Sequence, residues 1–227
     1  MKSFTIILGI VIIIVGAILV WQNLFKTPAV VKKAGDILPG MDIMPKTLEG
    51  KKVAIIIAFR DFRDEEYFIP KEVLENSGAE VRTVSTEKGI AIGSQGGEAN
   101  VNIILSEIKV SDFDAIVFIG GPGAPKYLDN ETSYKIAQDA VLQGKILAAI
   151  CISPTILAKS GVLSGKKATV WSSPLDKSAV KILKDSGANY QSDRVVIDGK
   201  IITANGPDAA GDFAEAIIRV LNPVLAP

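Results

Sequence analysis

Short apolar runs alternate with segments of helical periodicity over most of the chain after Lys51. Lys52–Ala58 is a continuous, β-branched-rich run, and Ala115–Ile119 and Ile146–Ile150 are similarly apolar. Such runs are typical of strands that are buried on both faces of a sheet. Glu65–Ser77 and Glu131–Gln143 have helical spacing, and each is followed by a glycine that can end a helix. The pattern predicts strands that alternate with helices.

The rest of the pattern extends this alternation to the C-terminus. We expect strands at Glu80–Ser85 and Lys167–Trp171, a glycine-rich loop or hairpin at Lys88–Gly97, and helices at Pro154–Lys159, Ser178–Ser186 and Asp208–Leu221. The Asp198-Gly199 pair between two apolar runs predicts a hairpin over Val195–Thr203. Together these elements predict an α/β fold with a mostly parallel sheet covered on both faces.

The functional crevice of such a sheet lies at the carboxyl ends of its strands. Three connections should meet there: the loop after Ala58, the loop Gly120–Gly123, and the turn at Cys151. The segment Trp171–Pro174 follows a predicted strand, so it either lines this crevice or forms a plain loop. The sequence therefore predicts one site that is built from loops distant along the chain.

The N-terminal segment differs in pattern, because Ser3–Phe25 contains no charged residue. About 20 apolar residues suffice for a helix to cross a bilayer, and Trp21 lies where an interfacial aromatic residue would. We predict a single-pass transmembrane anchor over residues 1–25, with a signal segment as the alternative. Residues 26–50 are rich in Pro and Gly and predict a linker, so the domain would occupy residues 51–227.

Lysines flank the apolar segment on both sides, with more of them after it than before it. The positive-inside rule then favours a domain on the cytoplasmic side of the membrane. A signal-anchor arrangement would instead place the same domain outside. The predicted localisation is the membrane, and the membrane is the predicted partner of the N-terminal helix.

The composition restricts the partners, disulfides and metal sites that the chain can have. Lys+Arg and Asp+Glu are both 25, so the charge balance indicates no nucleic-acid partner. The 227 residues include one cysteine and no histidine, which excludes an internal disulfide and a zinc site built from Cys and His. No motif indicates a metal or another cofactor, so none is predicted.

The single cysteine, Cys151, ends the apolar run Lys145–Ile150 just before a predicted helix. A nucleophile at a sharp strand-to-helix turn is exposed beside the free amides of a helix N-terminus, which favour an anion. The alternative is an inert core cysteine, the commoner fate of a free cysteine with apolar neighbours. Because the chain has no imidazole, the usual proton acceptor of a catalytic thiol is missing.

Four segments of the chain resemble the DJ-1/PfpI family, which belongs to the class I glutamine amidotransferase-like superfamily. They are Asp64–Pro70, Phe113–Gly121, Ala148–Pro154 and Val195–Pro207, and the resemblance extends over Lys51–Leu221. It implies a flavodoxin-like three-layer sandwich that usually forms homodimers. It also implies a function among thiol-dependent peptidases, glyoxalases, deglycases, chaperones and oxidation sensors.

The resemblance implies roles for particular residues. Cys151 matches the family's elbow cysteine, and Glu66 matches the glutamate that contacts the thiol. Gly121 and Ile152 match the positions whose amides form an oxyanion hole. The protease-like members have histidine directly after the cysteine, where this chain has Ile152, so the chain cannot form a Cys-His-acid triad by itself.

These residues lead to a hypothesis about the thiol. A protonated Glu66 would donate a hydrogen bond to an ionised Cys151 near neutral pH, and helix amides would add to this stabilisation. Such a thiolate could act on small aldehydes or acyl groups, with Glu66 carrying the proton. Alternatives are a non-catalytic oxidation sensor or chaperone that uses the same cysteine with an oxidant as partner, and a peptidase-like relative that has lost activity.

Overall fold

The computed structural model describes residues 47–222. The predicted anchor, residues 1–25, and most of the predicted linker lie outside the described residues. Within the described part of the chain, no helix has both the length and the apolar character needed to cross a bilayer. At the end of the predicted linker, Leu48 is fully buried in the core and its amide donates to Ser77 O at 2.9 Å.

A seven-stranded sheet forms the centre of the domain. Counted along the chain, the strands are β1 (Lys52–Ile56), β2 (Arg60–Phe62), β3 (Glu80–Ser85), β4 (Gly89–Gly93), β5 (Glu98–Val101), β6 (Ile103–Ile104), β7 (Ala115–Phe118), β8 (Ile146–Ile150), β9 (Lys167–Ala168), β10 (Asn189–Tyr190), β11 (Val195–Asp198) and β12 (Ile201–Ala204). The central sheet has the order β11-β12-β8-β7-β1-β3-β6. Its pairs are parallel except β11 with β12, which form the predicted hairpin.

Helices cover both faces of this sheet. They are α1 (Asp64–Asn76), α2 (Ala124–Tyr127), α3 (Glu131–Leu142), α4 (Pro154–Lys159), α5 (Ser178–Asp185) and α6 (Ala210–Leu221), with 3₁₀ turns at Leu105–Glu107, Val110–Asp112 and Pro207–Ala209. Strand residues alternate between two apolar clusters. One cluster joins β1, β7 and β8 to α1 and α6. The other joins them to α3, α4 and α5. This is the predicted three-layer sandwich with a mostly parallel sheet.

At Lys88–Gly97 the hairpin alternative is the one found, because β4 and β5 pair antiparallel there. This hairpin pairs with β2, a short strand that was not anticipated from the sequence. A second difference lies after α4. The strand predicted over Lys167–Trp171 ends at Ala168. The next amide, of Thr169, donates to the side chain of Thr203 at 2.9 Å, so the backbone leaves the ladder.

Candidate active site

Cys151 lies on a strained turn between β8 and α4. Its φ of 64° is in the left-handed region, which a residue with a Cβ rarely adopts unless its surroundings enforce it. The Cys151 amide donates to Ala204 O at 2.9 Å, and its carbonyl accepts from the Trp171 amide at 2.8 Å. Ser153 Oγ donates to Ile119 O at 2.8 Å. These bonds tie the turn to the ends of three neighbouring segments and hold the thiol outward from the strand.

The loop after β7 approaches the turn so closely that it requires glycine. A Cβ on Gly120 would lie 2.6 Å from Cys151 Cβ and 2.8 Å from Glu66 Oε2. Gly121 has a φ of 104°, and a Cβ there would lie 2.4 Å from the Arg63 amide nitrogen. The close approach brings the three predicted connections together at the carboxyl edge of the sheet.

Glu66 brings a carboxyl group from the first turn of α1 to the thiol. Its side chain is fully buried, and its Oε2 accepts from the Gly120 amide at 3.1 Å. Its Oε1 has no nitrogen or oxygen donor among the described residues, and the Cys151 thiol is the carboxyl's remaining hydrogen-bonding neighbour. Glu65 instead contacts Gln95 Nε2 at 2.7 Å, so only one of the two adjacent glutamates faces the thiol, as helical geometry predicts.

The protonation of the carboxyl follows from its burial. The pKa of Glu66 is raised from 4.5 to about 7, because loss of hydration outweighs the lowering by the thiol, the Gly120 amide and Arg63. Near neutral pH the carboxyl therefore exists in both forms. The hypothesis of a protonated Glu66 is supported in direction, since this carboxyl keeps its proton well above the usual pH range.

The pKa of the Cys151 thiol is shifted in the direction opposite to that of the hypothesis. The pKa of Cys151 is raised from 9.0 to about 12, mainly by burial and next by the nearby charge of Glu66 and a hydrogen bond to it. Amides of Gly121 and Ile152 donate toward the sulfur and lower the pKa, but they do not offset burial. A raised pKa is opposite in direction to the lowered thiol pKa that a resting thiolate at neutral pH requires. The two groups form a coupled pair that retains one proton over a wide pH range.

A cleft of about 320 Å³ opens above the thiol. We call it the Cys151 cleft; it is lined by Arg63, Gly121, Pro122, Pro125, Cys151, Ile152, Trp171 and Pro207. Its walls are mainly apolar, and the thiol itself is only partly exposed. This volume is at the small end of the range for ligand pockets, so the cleft suits a small molecule.

The structure brings all four predicted site residues together, since Cys151, Glu66, Gly121 and Ile152 meet at one sulfur atom. Trp171 lines the cleft, so the crevice interpretation of its segment is confirmed at that residue. Arg63 was missed, although it directly precedes the acidic run of α1 in a loop that was expected to reach the site. Between residues 47 and 222, no group of three or more acidic or cysteine side chains is arranged to hold a metal ion.

Residues 51–220 match the model of the DJ-1/PfpI family. The chain belongs to the DJ-1/PfpI family. It is 39% identical over 177 residues to an uncharacterised protein of Methanocaldococcus jannaschii, with 78% of this chain and 85% of that protein covered.

Two further DJ-1/PfpI relatives support the assignment. The chain is 31% identical over 167 residues to the deglycase PfpI of Pyrococcus furiosus, with 74% of this chain and 98% of that protein covered. The crystal structure of a ThiJ/PfpI domain protein from Brachyspira murdochii superimposes with a TM-score of 0.72 at 33% identity, covering 77% of this chain and 99% of the other. The flavodoxin-like fold is therefore that of the family.

Proposed function

We propose that the domain is a thiol-dependent enzyme that acts on small aldehydes or acyl groups, with Cys151 as nucleophile and Glu66 as proton acceptor. The observation that carries this proposal is the pairing of an elbow thiol with a buried carboxyl whose pKa is about 7. A base of that pKa is well matched to catalysis near neutral pH. Glu66 thus takes the part that imidazole has in other thiol enzymes. The similarity to a deglycase supports the same class of reaction.

The reaction begins with addition of the thiol to a carbonyl group. As the bond from Cys151 Sγ to the carbonyl carbon forms, the thiol proton passes to Glu66, and the carbonyl π electrons move to oxygen. The amides of Gly121 and Ile152, which already donate toward the sulfur, are the nearest donors to the resulting oxyanion. Glu66 then returns the proton to that oxygen, which gives a neutral hemithioacetal and a regenerated carboxylate.

The proton is transferred during the attack rather than before it, because the resting thiol holds its proton. An aldehyde is reactive enough for such an addition, whereas a peptide bond also needs its amine to be protonated as it leaves. Without imidazole, that second step lacks its usual acid, and loss of such catalysis costs roughly 10²–10⁴-fold. Peptide cleavage is therefore the least favoured of the family's activities for this chain.

Turnover of methylglyoxal by wild type and Cys151→Ser tests the proposed function. We expect turnover by wild type and its loss in the variant, together with mass-spectrometric detection of an adduct at Cys151 only. Absence of turnover by wild type, with stoichiometric oxidation of Cys151 by mild peroxide, would overturn the proposal in favour of an oxidation sensor. Absence of both would indicate an inactive relative of the peptidases.

We also propose that residues 3–25 hold this domain at a membrane, most simply on its cytoplasmic side. The uncharged length of that segment supports the proposal. A homodimer of the family's type is compatible with such an anchor. Expression of the full chain followed by a carbonate wash checks the tether: the protein should stay with the membrane fraction, and its release into the supernatant would contradict it.

A further inference from the structure

Arg63 places a positive charge at the Cys151 cleft. Among the described residues that line the cleft, Arg63 and Cys151 are the only ionisable ones. The other lining residues are glycine, proline, isoleucine and tryptophan. Apolar walls weaken the screening of a charge by water, so a single guanidinium has a strong influence on what enters.

The backbone of Arg63 is held tightly at this position. Its amide donates to Gly120 O at 3.1 Å, and its carbonyl accepts from the Tyr67 amide at 3.2 Å. Gly121 packs against the same amide so closely that a Cβ would not fit. The side chain of Arg63 therefore starts beside one of the two amides that donate toward the sulfur, within reach of a ligand bound there.

The guanidinium also has free hydrogen-bonding capacity. Its polar contact within residues 47–222 is an ion pair with Glu65, at 3.4 Å between Nε and Oε2, and that oxygen makes no hydrogen bond. Glu65 does not line the cleft. The terminal amino groups of Arg63 thus remain available to a ligand, and a guanidinium binds a planar carboxylate through two parallel hydrogen bonds.

We propose that Arg63 recognises a negatively charged group on the compound that reacts with Cys151, so that the site prefers small aldehydes that carry a carboxylate. That the ligand is an aldehyde rests on the proposed function, whereas its negative charge is inferred from the position of Arg63 at the cleft. The cleft of about 320 Å³ accommodates a small molecule whose carboxylate lies next to its carbonyl, as in a 2-oxo acid.

Alkylation by iodoacetate and iodoacetamide tests the proposal directly, because these reagents are similar in size and differ by one negative charge. In both reactions the bond from Sγ to carbon forms, iodide leaves, and the thiol proton passes to a base. The quantity compared is the rate of alkylation of Cys151 by iodoacetate divided by its rate with iodoacetamide. Differences in thiol reactivity between variants cancel in this ratio. The ratio should be roughly tenfold lower in Arg63→Gln than in wild type, because the charged partner is lost.

Matched variants separate charge from structure. Arg63→Lys keeps the charge and should retain most of the wild-type ratio. Arg60→Gln removes an exposed arginine that stacks on Phe59 outside the cleft, and its ratio should equal that of wild type. If Arg63→Gln folds poorly, a salt titration of wild type replaces it, because added salt must lower the ratio by screening the guanidinium.

An equal ratio in wild type and Arg63→Gln, or a wild-type ratio that salt does not change, would overturn the proposal. This outcome differs from failure of the proposed function. Methylglyoxal turnover with an unaffected ratio overturns the role of Arg63 alone. If the ratio is higher in wild type than in Arg63→Gln but no methylglyoxal turnover occurs, the enzymatic function is overturned, and Arg63 remains the group that selects anionic ligands. Protection of Cys151 by glyoxylate, weakened in Arg63→Gln, would extend the result to an aldehyde.

Discussion

Asp64 and Glu66 lie two residues apart in the first turn of α1, and both are buried. Asp64 points to the hairpin of β4 and β5, where its carboxyl accepts from the Gly97 amide at 2.7 Å and the Gln95 amide at 2.9 Å. Glu66 points to the Cys151 turn, where its carboxyl accepts from one amide and contacts the thiol. The helix thus carries one carboxyl to a structural loop and another to the site.

The difference between the two carboxyls is their supply of donors. Each oxygen of Asp64 receives a backbone amide, as expected of a carboxylate that holds a turn in place. Glu66 has fewer donors and no exposure, so burial dominates and raises its pKa to about 7. One turn of α1 thus holds a carboxyl that anchors a hairpin and a second carboxyl whose pKa is raised by burial.

The largest expected effect is on reactivity in Glu66→Gln. Glutamine fills the same space but accepts no proton, so methylglyoxal turnover should fall by roughly 10²–10⁴-fold. In wild type, turnover should rise as pH increases through about 7, because the carboxylate is the form that accepts the thiol proton. The matched control is Glu65→Gln, which removes a partly exposed neighbour. A Glu66→Gln enzyme as active as Glu65→Gln would show that Glu66 is not the base.

A second effect concerns the pH dependence of stability. The pKa of Glu66 is raised in the folded state, so the folded protein binds more protons than the unfolded chain between pH 4.5 and about 7. The free energy of unfolding should therefore decrease across this window, by about 3 kcal/mol for a shift of this size. Urea denaturation at pH 5 and pH 8 measures the decrease in wild type and in Glu66→Gln.

Glu66→Gln lacks the titrating group, so its stability should change less with pH and should exceed that of wild type at pH 8. In wild type the Cys151 thiol titrates above this window, because burial and the charge of Glu66 raise its pKa. An equal pH dependence in the two proteins would show that the Glu66 carboxyl is not desolvated in the folded state. In that case burial would not raise the pKa of Glu66, and the proposed role of this carboxyl as a base near neutral pH would lose its physical basis.

The smallest effect is expected for Asp64→Asn. Asparagine offers one acceptor oxygen where Asp64 offers two, so one of the two hairpin amides loses its partner. The free energy of unfolding should decrease by about 1–3 kcal/mol. The alkylation rate of Cys151 should stay within about threefold of wild type, since the hairpin does not line the cleft. A large loss of thiol reactivity would instead show that the two carboxyls act together.

Much of the fold could be predicted because it depends on local patterns. The helix α4 has the predicted bounds, and β8 is found where the apolar run before Cys151 placed it. Apolar runs of this kind must be buried on both faces, which leaves few arrangements. The strand β2 was not predicted because three residues carry too little periodicity, and its pairing with β4 depends on a distant hairpin.

The residues of the candidate site could be predicted from the sequence, but their protonation states could not. Cys151 follows from its place between a strand and a helix, and Glu66, Gly121 and Ile152 follow from the family resemblance. Their proton affinities depend on burial, which a sequence does not give. Arg63 was overlooked for a related reason, since its contribution comes from the position of a loop against Gly120 and Gly121.

The sequence alone determines a mostly parallel sheet with a cysteine at the end of one strand. These features follow from apolar periodicity and turn residues, which specify structure over short stretches of chain. The chain also excludes imidazole chemistry by composition. Only the packed structure decides that a carboxyl from α1 is buried beside the thiol and that Arg63 lines the cleft. Both depend on desolvation and on distances between segments far apart in the chain, and these exist only once the layers are assembled.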